Sequence, residues 1–357
     1  MVGYGLPKNI LLVEPNYYTR FPPVGLLKLS SYHKKMGDYT ELIKGQGHPK
    51  KPPDVIYVTS LFTWAWEPVW DAVKYYKANF PSAKIILGGL YASLLPEHAA
   101  LSGADEIHKG IVEEVEDLIP DYTLVPDWNG SIIFSSRGCN MNCGFCAVPI
   151  LEGKLKCTKK SIKHLVWPGH TRIIFFDNNL LQNPHWRDIF DELEDLKMSV
   201  DFNQGLDARL ITDEVAERMA NLKIDSWIRL AYDARDRGKY VKRAIDNLSA
   251  VGIRKRRIMV YTLFNYNDTP SDFFERVKEI LNWGVVCYPM RYEPIFALKK
   301  NEYISPNWSK ERLGAVQRAR RVIGYGGSFP PYEGLIRKFN AAKDFDEAFK
   351  LRPPKRG

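Results

Sequence analysis

The sequence predicts an α/β protein built from two parallel-sheet units. A Rossmann-like domain spans residues 1–122, a partial (β/α)6 barrel spans 131–298, and a basic helical extension follows at 299–357. Three observations predict this. Short apolar runs rich in β-branched residues alternate with amphipathic stretches, the pattern of parallel strands with covering helices. A turn-rich break at Pro120 to Gly130 divides the chain into two such series. In the second series the strand-like runs recur at roughly 30 residues, the length of one βα unit.

In the first series, Asn9 to Glu14 is a buried-strand run closed by Pro15, and Val24 to Met36 carries helical spacing up to Gly37. A weak strand at Glu41 to Lys44 follows, then a clear one at Asp54 to Ser60, a helix at Val69 to Ala78 and a strand at Ala83 to Gly89. The short runs Asp105 to His108 and Glu113 to Ile119 end the series. Strand ends bearing Gly-Gly and Pro belong at the carboxyl edge of such a sheet, where open α/β folds bind ligands.

In the second series the strands are expected at Ser131 to Ser135, Arg172 to Phe176, Ser199 to Asn203, Ser226 to Ala231, Arg257 to Tyr261 and Val285 to Tyr288. Helices are expected at Trp186 to Leu196, Asp213 to Asn221, Tyr240 to Val251 and Asp272 to Trp283. Six units fall short of the eight that close a barrel. Beyond Asn301 the pattern gives a basic helix near Lys310 to Ile323, a Gly/Pro-rich segment and a short helix near Phe345 to Leu351.

Composition narrows the class. Apolar residues are 45% of the chain and charged residues 26%, which excludes disorder over the whole length. No run reaches the ~18–20 apolar residues of a membrane span, and Met1 to Lys8 lacks a signal-peptide pattern, so a soluble cytoplasmic protein is expected. Of the net charge of +9, the segment from Lys299 onward supplies eight. The 5 cysteines, three of them within eight residues, do not form a disulfide framework.

Those three lie in Ser136-Arg-Gly-Cys139-Asn-Met-Asn-Cys143-Gly-Phe-Cys146, directly after the first strand of the second series. Three thiolates would therefore converge from one loop at the carboxyl end of a strand, where barrel enzymes hold their chemistry. Spaced in this way, three cysteines suit three irons of a cubane cluster, and the missing fourth thiolate leaves one iron open. Zinc sites pair two C-x2-C halves or add histidines at set spacing, and His164 and His170 do not supply that. Gly138 and Gly144 let the backbone wrap closely.

This loop closely resembles the signature of the radical S-adenosylmethionine superfamily, C-x3-C-x2-C with an aromatic residue, here Phe145, before the last cysteine. The resemblance runs from Ser131 to about Ile295. It implies that Cys139, Cys143 and Cys146 hold an oxygen-sensitive 4Fe-4S cluster with S-adenosylmethionine on the fourth iron. An electron from a reductant such as flavodoxin or ferredoxin would cleave the sulfonium to a 5′-deoxyadenosyl radical. It further makes Phe145, Asp177, Asn178, Gln204, Arg209, Asp233 and Arg291 candidates for contacts to cofactor or substrate. Asp233 stands where many relatives carry Gly-x-Glu-Ser. Cys287, inside the sixth strand, is a candidate catalytic thiol with core packing as its alternative, and Cys157 lies on a Lys-rich loop.

The first unit resembles the cobalamin-binding-like domain of one branch of that superfamily, through Asn9 to Pro15, Phe21 to Leu27, Leu87 to Ser93 and Gly103 to Asp105. Base-off cobalamin binding in other families uses Asp-x-His-x-x-Gly, and this chain has Glu14-Pro-Asn-Tyr-Tyr-Thr-Arg20, without an imidazole. Cobalamin binding and a cobalamin-free cap thus both remain open. In the extension, Arg318, Arg320, Arg321, Arg337, Lys338, Arg352, Lys355 and Arg356 are interleaved with Tyr325, Phe329, Tyr332 and Phe339, a pattern that suits a nucleic acid or nucleotide-like substrate. The sequence-based readings are therefore a radical S-adenosylmethionine enzyme, a cobalamin-dependent radical methyltransferase, or a non-catalytic metal-bearing nucleic-acid-binding protein.

Overall fold

The computed structural model describes residues 6–323 and 333–350. Five parallel strands, β1 (Asn9–Glu14), β2 (Tyr39–Lys44), β3 (Val55–Val58), β4 (Lys84–Leu87) and β5 (Glu106–Ile107), form the first sheet in the order β2-β1-β3-β4-β5. Alternate side chains of β1 feed two cores. Leu11 and Val13 pack with Val69, Val73 and Tyr76 of α2 (Trp66–Asn79), while Ile10 and Leu12 pack with Leu26 of α1 (Val24–Lys35). Burial on both faces is why β1 reads as an unbroken apolar run. Each of these aliphatic side chains contributes roughly 1.5–3 kcal/mol by leaving water. β2 is longer than expected and pairs with β1 along its whole length. The short helices α3 (Leu90–Leu94) and α4 (Pro96–Ala100) follow β4. The strand order reverses between β1 and β3, which puts the topological switch point beyond Glu14 and Val58 at the carboxyl edge.

The next six strands are all parallel and lie in two sheets of three. One holds β6 (Ser131–Ile133), β7 (Arg172–Phe175) and β8 (Ser199–Phe202); the other holds β9 (Ile228–Ala231), β10 (Ile258–Phe264) and β11 (Val286–Arg291). Between β8 and β9 no ladder forms, because residues 223–225 run alongside β8 and take its main-chain bonds: Val200 donates to the Lys223 carbonyl at 2.9 Å and Asp225 donates to Val200 at 3.2 Å. A buried ion pair joins the halves instead, Arg229 Nη1 to Asp201 Oδ1 at 2.6 Å, and Leu206 N–H reaches the Arg229 carbonyl at 2.8 Å. The short helix α5 (Val148–Leu151) follows the cysteine loop, and α6 (Trp186–Leu196), α7 (Asp213–Ala220), α8 (Gly238–Ala250) and α9 (Pro270–Trp283) cover the strands. Helix α9 shows why these segments are legible: Thr269 and Asp272 form a capping box, Pro270 opens the first turn, and Gly284 at φ +77° ends it.

The extension is not an appendage. Helices α10 (Lys310–Ile323), α11 (Glu333–Ala341) and α12 (Phe345–Phe349) bury Leu313, Val316, Leu335, Phe339, Phe345 and Phe349 in the same core as β9 to β11. This corrects two expectations. Helix α11 was not expected within the Gly/Pro-rich segment, and Phe339 is a core residue and no stacking surface. Several of the tail cations are also engaged: Arg337 lies 3.4 Å from Glu333, Arg312 lies 2.6 Å from Asp346, and Arg320 donates to the Tyr288 hydroxyl at 3.2 Å. Arg318 is exposed and Lys338 donates to the Lys350 carbonyl at 2.5 Å. Tyr325, Phe329, Tyr332, Arg352, Lys355, Arg356 and the Arg321 side chain lie outside the described residues. Among the described residues no helix is long and apolar enough to cross a membrane.

The two units meet edge to edge. Thr63 Oγ1 and Trp66 Nε1 donate to the carbonyls of Ala297 and Leu298, beyond β11, at 2.7 and 3.2 Å. Helix α3 packs on α5, and Phe21 sets its ring edge-on to Trp128 and Phe176.

Candidate functional site

The loop after β6 is shaped before any cysteine is reached. Asp177, at the end of β7, is buried and accepts from Ser135 N–H at 3.0 Å, Ser135 Oγ at 2.6 Å and Ser136 Oγ at 2.8 Å. Burial pushes its carboxyl up, against the pull of these donors. Both oxygens are thus spent on holding the loop to the strand end. Asn183 adds bonds to the Ser135 and Lys159 carbonyls, each at 3.2 Å. The chain then doubles back: Arg137 and Lys156 exchange main-chain bonds at 2.9 and 2.8 Å, and Cys139 N–H reaches the Gly153 carbonyl at 3.1 Å. Gly138 sits at φ +73°, where a Cβ would stand 2.1 Å from the Lys154 oxygen, so no other residue fits.

A charged relay anchors this turn to the first unit. Glu152 Oε2 accepts Gly138 N–H at 2.8 Å and Asn178 Nδ2 at 2.9 Å, while its Oε1 faces Arg137 Nη1 at 3.4 Å. Arg137 grips Glu116 through two bonds, 2.7 and 2.8 Å, and lies 3.5 Å above the Phe134 ring. Lys28 on α1 closes the relay, 3.5 Å from Glu116 Oε1 and bonded to its carbonyl at 2.8 Å. Burial would raise the Glu116 carboxyl, yet Arg137 and Lys28 hold it below the usual range. Burial pulls Lys28 down to about 8 despite Glu116.

The three thiols occupy one partly buried region. Met141 N–H points at Cys139 Sγ (3.4 Å) and Val148 N–H at Cys146 Sγ (3.5 Å), the donors a thiolate would use. Burial, then the neighbouring Cys146 and Cys139, pushes the Cys143 thiol up; burial and Cys139 do the same to Cys146. Cys143 and Cys146 therefore resist ionising without a cation beside them. No three described His, Cys, Asp or Glu side chains converge on one ion position. A single tetrahedral ion needs such convergence, whereas a cubane takes each cysteine on a separate iron.

Polar groups border the thiols. Gln182 Oε1 accepts Asn140 N–H at 2.9 Å and lies 3.9 Å from Cys139 Sγ. Arg209 reaches Met141 Sδ at 2.8 Å and is held by Asp207, with Nε to Oδ1 at 2.8 Å. Chiefly Asp207, with Cys143 and Cys139 behind it, raises the Arg209 guanidinium above its ordinary value. Asn179 donates from Nδ2 to Asp207 at 3.2 Å. Because that carboxylate can only accept, the amide orientation is fixed, and Asn179 Oδ1 is left buried without a donor. Asp233 accepts Leu263 N–H at 3.0 Å, burial pushes its carboxyl up, and its charge acts on Cys143. Phe145 packs edge-on to Tyr266 at 5.7 Å, and Tyr266 to Tyr292 at 4.7 Å.

The structure therefore gathers Cys139, Cys143, Cys146, Phe145, Arg209 and Asp233, with Asp177 and Asn178 turned to the loop backbone and to Glu152. It does not gather the rest. Gln204 is exposed with no side-chain bond among the described residues, and Arg291 is bonded to the carbonyls of Asn301 and Tyr303 at 3.0 and 2.8 Å. Cys287 is fully buried beside β10 and burial pushes its thiol strongly up, which sets the catalytic reading aside for core packing. Glu152, Glu116, Gln182 and Tyr266 are not singled out by the sequence, and Asn179 only as part of the Phe175 to Asn179 turn after the second strand of the second series; polar residues after strand ends are the only available signal.

At the carboxyl edge of the first sheet, Glu14 takes the Thr19 hydroxyl at 2.5 Å and lies 3.5 Å from Lys44. The Gly88-Gly89 turn is pressed onto β3, where a Cβ on Gly89 would stand 2.2 Å from the Ser60 oxygen. No model of a known protein family matches this chain, and no curated protein is found as a relative.

Proposed function

We propose that the chain is a radical S-adenosylmethionine enzyme on a partial barrel, with the first unit as its cap. The observation that carries this is the grouping of three part-buried cysteines on one strand-end loop, two of them met by backbone N–H groups, beside the Arg209 guanidinium and an orphaned buried acceptor. A 4Fe-4S cluster held by Cys139, Cys143 and Cys146 would supply the electron that cleaves S-adenosylmethionine to a 5′-deoxyadenosyl radical. Arg209, pinned by Asp207, is placed to hold the cofactor carboxylate in the manner that planar guanidinium groups favour. Asn179 Oδ1 is the acceptor its ammonium group would satisfy. Phe145 and Tyr266 form an apolar wall, and Asp177 and Glu152 keep the loop wrapped. The cap, tied down through Glu116 and Arg137, excludes water from a reactive radical. In this reading the first unit needs no cobalt ligand, in keeping with the Glu14 to Arg20 loop.

The test is direct. Reconstitute iron and sulfide without oxygen, add dithionite and S-adenosylmethionine, and measure 5′-deoxyadenosine. Product that disappears in Cys139→Ala supports the reading; none from a fully loaded protein ends it.

A further inference from the structure

We propose that Phe62, Trp64, Phe296 and Lys300 form a platform for single-stranded nucleic acid, with an unpaired base stacked on Phe62. The inference rests on the reading of the cysteine site as an enzyme that functionalises a substrate, and names that substrate's class. Four observations carry it.

The first is geometry. Phe62 and Trp64 lie parallel, with centroids 4.7 Å apart and planes 8° from coincidence. Phe62 is nevertheless 41% exposed and Phe296 49%. The outer face of Phe62, backed by the half-buried parallel Trp64, is a flat face of the kind that base stacking uses.

The second is rigidity. The turn Thr63–Ala65 is tied by Thr63 to the Ala297 carbonyl at 2.7 Å and by Trp66 to the Leu298 carbonyl at 3.2 Å. Both flanks of the platform are therefore fixed before any ligand arrives, which lowers the ordering cost of binding.

The third is charge. Lys300 Nζ lies 5.6 Å over the Trp64 ring, and the same sheet edge carries Arg20 after β1 and Lys109 after β5. Among the described residues none of the three forms a close ion pair, and Lys300 is near enough to Glu293 to act on its carboxyl. Apolar peptide docking has no use for such cations, whereas a phosphate backbone needs them.

The fourth is position. The platform stands at the carboxyl end of β3, beside the point where strand order reverses, and touches α3; α3 packs on α5, one turn beyond Cys146. A base held there sits on the edge shared with the cysteine loop.

The experiment is fluorescence anisotropy with a labelled 15-mer RNA, the same sequence as DNA, and its duplex, using the full chain at 50 mM salt. Single strands are expected to bind, and the duplex at least tenfold more weakly. Phe62→Ala is expected to weaken binding about tenfold or more with its unfolding midpoint unchanged, and Phe62→Tyr to restore it. Lys300→Ala should reduce the salt slope by about 0.7. Binding that ignores Phe62→Ala, prefers the duplex, or is absent for every oligonucleotide overturns the platform. Cys139→Ala is expected to bind like the parent protein. Failure of the platform is thus distinguishable from failure of 5′-deoxyadenosine formation, which would remove the enzyme reading and the strand's role as substrate while leaving the binding itself in place.

Discussion

Glu152 accepts the backbone N–H of Gly138 at 2.8 Å, one residue before the first cysteine of the loop. The same oxygen holds Asn178, and the other faces Arg137, so one carboxylate ties loop, strand end and first unit together. Glu152→Ala leaves the Gly138 N–H without its partner, and a lost bond of this kind costs about 1–3 kcal/mol. We expect lower iron incorporation on reconstitution and an earlier urea midpoint. Glu152→Gln keeps an acceptor and should retain most of the iron. Equal iron content in both variants and the parent would refute the role.

Gly138 and Gly153 share nearly the same backbone, φ +73° and +74°, but only Gly138 is pressed against a carbonyl. Alanine at Gly153 meets nothing within 4 Å and should cost only the left-handed penalty, roughly 1–2 kcal/mol. Alanine at Gly138 must in addition displace the Lys154 oxygen, so its destabilisation should be clearly larger, with loss of iron binding. Comparing the two melting curves isolates the clash from the backbone preference. Similar curves would mean that the wrap is looser than described.

How far these features were legible depends on their range. The cysteine spacing, the helical periodicity from Asp272 to Trp283 and the buried runs of β1 and β10 are local patterns, and they predicted the elements that carry the site. The Glu152 to Gly138 bond and the Gln182 to Asn140 bond span 14 and 42 residues and leave no periodic trace. Helix α11 was hidden because it follows a Gly/Pro-rich segment and mixes few apolar residues with Arg337 and Lys338. Phe339, expected as part of the basic, aromatic tail surface, is a core residue for the opposite reason. Charge and aromatic content are visible in a sequence, but whether Phe339 faces solvent or Phe274 is decided by packing.

Cys287 and Cys139 make a contrast that composition alone cannot. Cys287→Ala removes a buried sulfur from the β11 core and should cost about 1–3 kcal/mol while leaving reconstituted iron unchanged. Cys139→Ala should lose iron with little change in the apo-protein's stability. Iron analysis and thermal melts of the two variants check this together; iron loss in Cys287→Ala would contradict the placement.

Lys28 gives a pH dependence with a definite sign. Its ammonium ordinarily titrates near 10.5 and burial lowers it to about 8 in the folded chain. Between these values the unfolded chain binds a proton that the folded chain does not, so stability attributable to Lys28 rises with pH across that window. Below about pH 8 both states are charged and the folded state carries the full burial cost. Unfolding free energies of the parent and Lys28→Met should therefore shift in favour of the parent between pH 8 and 10.5 and stay parallel from pH 6 to 7. A difference that is flat throughout would show that Glu116 fully compensates the burial.

Arg209 is the residue whose replacement best separates cofactor holding from loop architecture. Its guanidinium is clamped by Asp207 and touches Met141, inside the field of Cys139 and Cys143. Lysine keeps the charge but not the planar fork, so two-pronged contact with a carboxylate is lost while the local potential is preserved. Arg209→Lys should therefore incorporate iron like the parent, yet bind S-adenosylmethionine about tenfold more weakly or worse, a loss of about 1.4 kcal/mol. Asp207→Asn should weaken binding less, since it loosens the clamp and leaves the guanidinium in place. Equilibrium dialysis of the cofactor against reconstituted protein measures both. If Arg209→Lys loses iron instead, the residue supports the loop and some other group must receive the carboxylate.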